Sequence, residues 1–277
     1  MFKMRALILK IISLVVFGLA VSIASANNDS DLIKRFDQNQ YSPIKYGLKE
    51  VVFKARVDGL ESSIKERYAL TKLNDPHFVV YWMSPGRVEI EVMGLPKGFD
   101  ALKQELKKII YERLEYVVPQ DLSGRLRGYN FQATKLKNSD VLLKGKDETH
   151  SKAISQINLV FAADSTLKSM KTYSPSGSQI AVFKSEQKPW SHSKNVVTQV
   201  VVEGVTGIQK TTVDTSINYI AKDGFGVPQS VRTNTKVEAM TNKEGAQSST
   251  IKSEITMSDY QINTGVAQKF FMGRDGN

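Results

Sequence analysis

His77-Phe78-Val79-Val80-Tyr81-Trp82-Met83-Ser84-Pro85-Gly86-Arg87-Val88-Glu89-Ile90-Glu91-Val92-Met93-Gly94 is the stretch whose reading decides the fold. Val88, Ile90 and Val92 alternate with Glu89 and Glu91, the period of a strand with one buried and one wet face. Ser84-Pro85-Gly86 supplies the turn residues of a hairpin. A three-residue loop with Gly86 left-handed pairs Trp82 with Val88, Val80 with Ile90 and Phe78 with Val92. A two-residue loop would instead bring Val79, Tyr81 and Met83 to that face. The first register is preferred because it gathers six apolar side chains on one face. Its discord is Pro85, which a type I turn disfavours at its second central position. In both registers Val88, Ile90 and Val92 point inward, and Glu89 and Glu91 face water.

Upstream, Val51, Phe53, Ala55 and Val57 share a face opposite Lys54 and Arg56, which predicts a half-buried strand. Before it, Leu32, Ile33 and Phe36 have the spacing of a short helix that Ser30 or Asp31 caps. Glu61 to Asn74 reads equally as helix or strand. Downstream, Leu102, Leu106, Ile109, Ile110, Leu114 and Val117 recur at helical spacing, with Lys103, Gln104, Lys107, Lys108 and Glu115 between them. That predicts one long helix over Asp100 to Val118, capped by Asp100 and ended by Pro119.

Beyond Pro119 the period returns to two. Tyr129, Phe131 and Ala133 alternate with polar residues, as do Ile157, Leu159 and Phe161. Asp164-Ser165 turns the chain into Leu167 and Met170. Further strands are expected at Ile180 to Phe183, Val196 to Val205, Val213 to Tyr219, Val227 to Met240 and Ser248 to Ile262. Ser185 to Asn195 and Thr241 to Gln247 read as polar loops. Repeated strands with polar turns imply an α+β fold with one large antiparallel sheet or open barrel. No internal boundary divides the chain.

The N-terminus carries a leader. Lys3, Arg5 and Lys10 precede the apolar run Ile11 to Val21, and Ala24-Ser25-Ala26 is a small-x-small exit. Cleavage after Ala26 is expected, leaving residues 27–277 as a single periplasmic domain. The formal charge of +10 then loses those three cations and stands at +7. The bases are interleaved with acids, so nucleic acid is not expected as a partner. With no cysteine there is no disulfide, thiolate or lipid-anchoring Cys. His77, His150 and His192 lie apart from one another at no metal-ligand spacing. Phosphate loops and serine nucleophile elbows are missing too. The expectation is a protein that is not an enzyme, with no metal and no cofactor.

The order of elements resembles the LolA-like family of periplasmic lipoprotein carriers and outer-membrane lipoprotein-sorting proteins. The likeness begins with the leader, the short helix and the strand Glu50 to Val57, and runs through Tyr81-Trp82-Met83-Ser84-Pro85-Gly86-Arg87-Val88 to Ile157-Asn158-Leu159-Val160-Phe161-Ala162-Ala163-Asp164-Ser165-Thr166-Leu167. It continues at Gly226-Val227-Pro228 and Tyr260-Gln261-Ile262-Asn263-Thr264-Gly265. The family places an arginine just before the hairpin proline that helps hold a lid; here that position is Ser84, and Arg87 follows the turn. The resemblance implies an incomplete antiparallel barrel whose concave apolar face, closed by a long helix, receives an acyl chain. Lining candidates are Phe78, Val80, Trp82, Val88, Ile90, Val92, Leu102, Leu106 and Ile110. The expected partner is the acyl chain of a lipid or lipoprotein, with envelope membrane proteins as a further class. The competing expectation is a structural or interaction protein of the envelope that uses the same sheet around a filled core.

Overall fold

The computed structural model describes residues 30–70, 73–240 and 248–275. The expected leader, residues 1–26, and the expected loop Thr241 to Gln247 lie outside them.

Helix α1 (Ser30–Asn39) and a 3-10 turn (Pro43–Tyr46) lead into strand β1 (Glu50–Val57). Helix α2 (Leu60–Tyr68) makes the first part of the ambiguous segment, Glu61 to Tyr68, a helix. The hairpin β2 (His77–Met83) and β3 (Arg87–Met93) follows, then α3 (Asp100–Tyr111), α4 (Leu114–Val117) and α5 (Leu122–Arg125). Nine strands complete the sheet: β4 (Asn130–Lys135), β5 (Val141–Lys146), β6 (Gln156–Phe161), β7 (Leu167–Ser174), β8 (Gly177–Gln187), β9 (Asn195–Thr206), β10 (Gln209–Lys222), β11 (Phe225–Ala239) and β12 (Ser248–Ile262). Helix α6 (Val266–Asp275) ends the described chain. All twelve strands form one antiparallel sheet in the order β3-β2-β1-β12-β11-β10-β9-β8-β7-β6-β5-β4, not closed into a barrel. Every neighbour is adjacent in sequence except β1 and β12, which join the N-terminal hairpin to the long meander.

The hairpin takes the three-residue register: Trp82 faces Val88, Val80 faces Ile90 and Phe78 faces Val92. The loop differs from expectation in detail. Ser84–Pro85 is cis, and Gly86 N–H donates to the Met83 carbonyl at 3.0 Å. That turn class accepts proline at its third position. Gly86 has φ 157°, close to extended rather than left-handed.

The expected helix over Asp100 to Val118 is two helices. The Arg113 N–H bonds Ile110 O and the Tyr116 N–H bonds Arg113 O, tighter i to i+3 steps that break the α ladder at Glu112–Arg113. The apolar stripe survives the break, since Leu102, Leu106, Ile110, Leu114 and Val117 are all buried. Strand β5 and helices α5 and α6 escape sequence reading; α5 falls where only strands were expected beyond Pro119. Strand β5 is short and interrupted by Gly145, over which the Phe131 ring lies where a Cβ would sit. Helix α6 has apolar residues without a clear stripe.

The apolar side chains gather in three clusters. The largest joins β1, β2 and β3 with α2, α3, α4 and the β10–β12 end, around Phe53, Phe78, Val80 and Ile110. A second joins α1 and α5 to β5, β6 and β7, with Phe36 edge-on to Phe161 at 6.0 Å. The third lies on the opposite face of β1 and β2, where Val52, Val79, Tyr81 and Met83 meet Ala267, Phe270 and Phe271 of α6. Tyr81 and Phe270 stack at 3.9 Å. Buried Glu50 holds that helix in place, its carboxylate accepting the Gly265 and Gln268 N–H groups at the helix start.

The N-terminal segment is pinned to the sheet by rings. Tyr41 lies edge-on to Trp190 at 5.1 Å, and its hydroxyl accepts the Gly226 N–H at 3.0 Å. Trp190 packs so closely on Gly226 that an added Cβ would lie 1.9 Å from its ring. Gly226→Ala should therefore lower the melting stability by about 1–3 kcal/mol through overpacking. Gly124→Ala, in α5 with nothing within 4 Å, should be neutral or slightly stabilising. Thermal unfolding of the two variants checks both.

Candidate functional site

All nine lining candidates come together. Phe78, Val80, Trp82, Ile90 and Val92 of the hairpin share one cluster with Leu102, Leu106 and Ile110 of α3, and Val88 packs against it. Alternation in β2 and β3 and the 3.6-residue stripe of α3 bring them there. They form a closed interior: Phe78, Val80 and Ile110 are 0% exposed, and Val92 is the most exposed of the eight buried residues at 8%. Two surface clefts lie elsewhere. One, of about 440 Å³, is lined by Arg56, Asp58, Glu61, Ser62, Lys65 and Asp75 among others. The other, of about 370 Å³, is lined by Lys184, Glu186, Lys188, Thr198, Gln199, Asn218 and Tyr219 among others. Both are rich in polar and charged groups, and neither includes any of the nine residues.

Accessible apolar surface on the same sheet face lies farther along. Cross-strand partners share a face, so the register defines rows. One row runs Ala181, Val202, Val213, Thr235, Ile251 across β8 to β12. Beside it run Phe183, Val200, Thr215, Thr233, Ser253 and Gln179, Gly204, Thr211, Val237, Ser249. The first row continues through Met170 and Leu159 to Leu143 of the second cluster. Ile217, Val231 and Ile255 lead from the strip into the first cluster. Phe183, Val200, Val202, Val213 and Val237 are half-buried and Ile251 is 37% exposed, while Thr215, Thr233 and Thr235 are buried. Four strand spacings make the strip roughly 19 Å across.

No charged residue stands in these three rows. Lys184, Glu203, Lys210, Asp214, Lys236, Glu238 and Lys252 of the same segments all take the opposite face. Ile180, Val182, Val201 and Val205 are the apolar exceptions there. The alternation of Val213, Thr215 and Ile217 with Asp214, Ser216 and Asn218 was the visible sign of this face. What sequence reading missed is that it continues, in register, through five strands.

No protein-family model matches the chain, and no curated protein does. The site therefore rests on its own geometry.

Ion pairs tie the helices to the sheet edge and to one another. Glu89, expected to face water, is half-buried at the sheet edge and joins two helices. Lys107 of α3 donates to it at 2.7 Å, and Arg274 of α6 lies 3.0 Å away. Glu91 is half-buried as well. Burial alone would raise the Glu89 pKa; the Lys107 hydrogen bond and the charges of Lys107 and Arg274 outweigh it and hold the carboxyl below its ordinary 4.5. At the α3–α4 break, burial pushes Glu112 up, against the opposing charge of Arg113. Arg125 of α5 pairs with Glu115 of α4 at 3.1 Å. The Nε–H groups of Arg113 and Arg125 are buried and have no partner among the described residues. The buried carboxylate of Asp37 in α1 caps α5, accepting the Leu122 and Ser123 N–H groups at 2.7 and 3.0 Å. Tyr129 donates to the Ile154 carbonyl, and burial raises its pKa to about 12.

Two outcomes follow for this edge. Ile90→Asp should destabilise by several kcal/mol, because it places an unpaired charge in the closed cluster. A depressed folded-state pKa gives Glu89 a stabilising contribution that is present above about pH 4.5 and lost as the pH falls through the folded value. Glu89→Gln should thus lower the melting temperature near neutral pH and leave it unchanged once the wild-type carboxyl is protonated. Melting curves across the acid range test this; a constant difference at every pH would remove the ion pair as its cause.

Proposed function

We propose that this protein is a non-enzymatic carrier or binder that holds the acyl chain of a lipid or lipidated client against the helix-covered face of its sheet. In this reading the sheet curls as an incomplete barrel with α3 on its concave side, as the resemblance to the LolA-like carriers implies, and the protein acts in the periplasm. The supporting observation is the uncharged strip of β8 to β12, continuous at one end with the closed cluster under α3. Apolar side chains left half-exposed in a row invite an apolar occupant. Each methylene buried there contributes about 0.8 kcal/mol. The nine residues of the closed cluster form the sealed end of the site, and the open strip receives ligand.

The full exclusion of Phe78, Val80 and Ile110 from water favours a second reading, in which the sheet serves as a structural or interaction part of the cell envelope around a filled core. One experiment separates the two. A fluorescent fatty acid is titrated into wild type, Val213→Trp and Val80→Trp, with melting curves beside each titration. The carrier reading expects wild type to bind, Val213→Trp to lose affinity with its fold intact, and Val80→Trp to lose about 1–3 kcal/mol of stability by overpacking. A wild type that binds no acyl probe leaves the structural reading.

A further inference from the structure

The β9–β10 hairpin ends in a two-residue turn, Thr206 paired with Gln209 around Gly207 and Ile208. Gly207, at φ 57°, takes the first central position, as this turn class requires. The second is ordinarily held by a small polar residue, yet Ile208 stands there with 65% of its surface exposed. Beside it is Met240, 55% exposed, whose N–H donates to the Ile208 carbonyl at 2.6 Å. Val205, 39% exposed, lies on the same hairpin. Isolated exposed apolar side chains need no explanation, but here the two most exposed of this group are hydrogen-bonded neighbours at the end of the sheet.

We propose that the tip formed by Val205, Ile208 and Met240 is a membrane-docking point that dips into the interfacial region of a bilayer. The area decides against a protein partner. A stable protein interface needs about 800 Å² from each side, which three part-exposed side chains at a two-residue turn cannot supply. Shallow insertion into lipid needs only a few apolar residues with basic groups behind them. Lys210, Lys236 and Lys252 stand on the strands that lead to the tip. Glu203 and Glu238 pair with the first two at 3.1 and 2.7 Å, and Lys252 has no acidic partner among the described residues. With a formal charge of +10 for the whole chain, and +7 once Lys3, Arg5 and Lys10 of the expected leader are removed, anionic lipid is the favoured surface. The tip belongs to the strands that carry the open strip, so docking would bring that strip to the membrane.

The test is flotation of the protein with vesicles of phosphatidylcholine and phosphatidylglycerol in equal parts, and with vesicles of phosphatidylcholine alone. Wild type should float with both and more strongly with the mixture. The double variant Ile208→Asp, Met240→Asp should lose at least roughly tenfold in partition, while its melting temperature and its affinity for the soluble fatty-acid probe stay at the wild-type level. Failure of wild type to float, or equal flotation of the double variant, overturns the proposal. Flotation that requires a membrane protein in the vesicles overturns it in favour of a protein partner. Loss of fatty-acid binding by wild type would sink the carrier reading and leave the docking tip standing, so the two failures are distinct.

Discussion

The cross-strand register is the constraint on which the rest of the structure depends. Side chains in a strand alternate strictly, so one unmatched slip between neighbours would carry a whole apolar set to the other face. Across the three rows of β8 to β12 the register keeps valine, threonine and phenylalanine on one side and places lysine, glutamate and aspartate on the other, where Ile180, Val182, Val201 and Val205 are the apolar exceptions. Outside these rows the ladder shifts at local irregularities, such as Lys184/Ser185 against β9, Asn218/Tyr219 against β11 and Val52/Lys54 against β12. Those shifts fall at the strand ends nearer the hairpin and helices, outside the three rows of the strip.

Given that face, the helices cover its two ends in different ways. Near β1 to β3 the cover is α2, α3 and α4, with an unbroken aliphatic stripe from Leu102 to Val117 despite the break in the backbone ladder. Near β5 to β7 it is α1 and α5, which are tied together by the Asp37 carboxylate at the start of α5. Between them the strip keeps its apolar side chains half in water. A half-exposed valine forfeits part of the transfer energy a buried one gains. In the proposed carrier reading, that unspent term is what an acyl chain would recover on the strip rather than in the sealed cluster.

The opposite face is mostly polar, with one covered region. Helix α6 lies on β1 and β2, so these strands near the β3 edge are covered on both sides while the meander is not. Beside its apolar contacts there, polar groups fix its two ends: the Glu50 carboxylate at its first turn, Asn263 just before it bridging the Gly47, Lys49 and Glu50 backbone, and Arg274 reaching Glu89 at the sheet edge. Glu89 thereby joins a helix on each side of the sheet through a single carboxylate. An ion pair of this partial exposure is a modest stabiliser; its consequence is to fix where α3 and α6 sit relative to β3.

Much of this was legible in the amino-acid sequence, because period is a local property. Val88, Ile90 and Val92 against Glu89 and Glu91, the run from Val213 to Asn218, and the stripe Leu102 to Val117 announced strands and helix, and Ser84-Pro85-Gly86 announced the hairpin. The choice between the two hairpin registers was not legible in the same way, because Phe78, Val80 and Trp82 and the alternative Val79, Tyr81 and Met83 each complete a face of six apolar residues, and the pairing itself decided it. Glu89 escaped because its partners, Lys107 and Arg274, are distant in sequence, and no local pattern shows which carboxylate of a strand meets them. Helix α6 escaped because its apolar residues pack on a surface supplied by β1 and β2 rather than forming a stripe of their own. The strip of β8 to β12 and the adjacency of Ile208 and Met240 belong to the same class. Each arises from pairing between strands, and pairing depends on long-range register and packing that no single segment encodes.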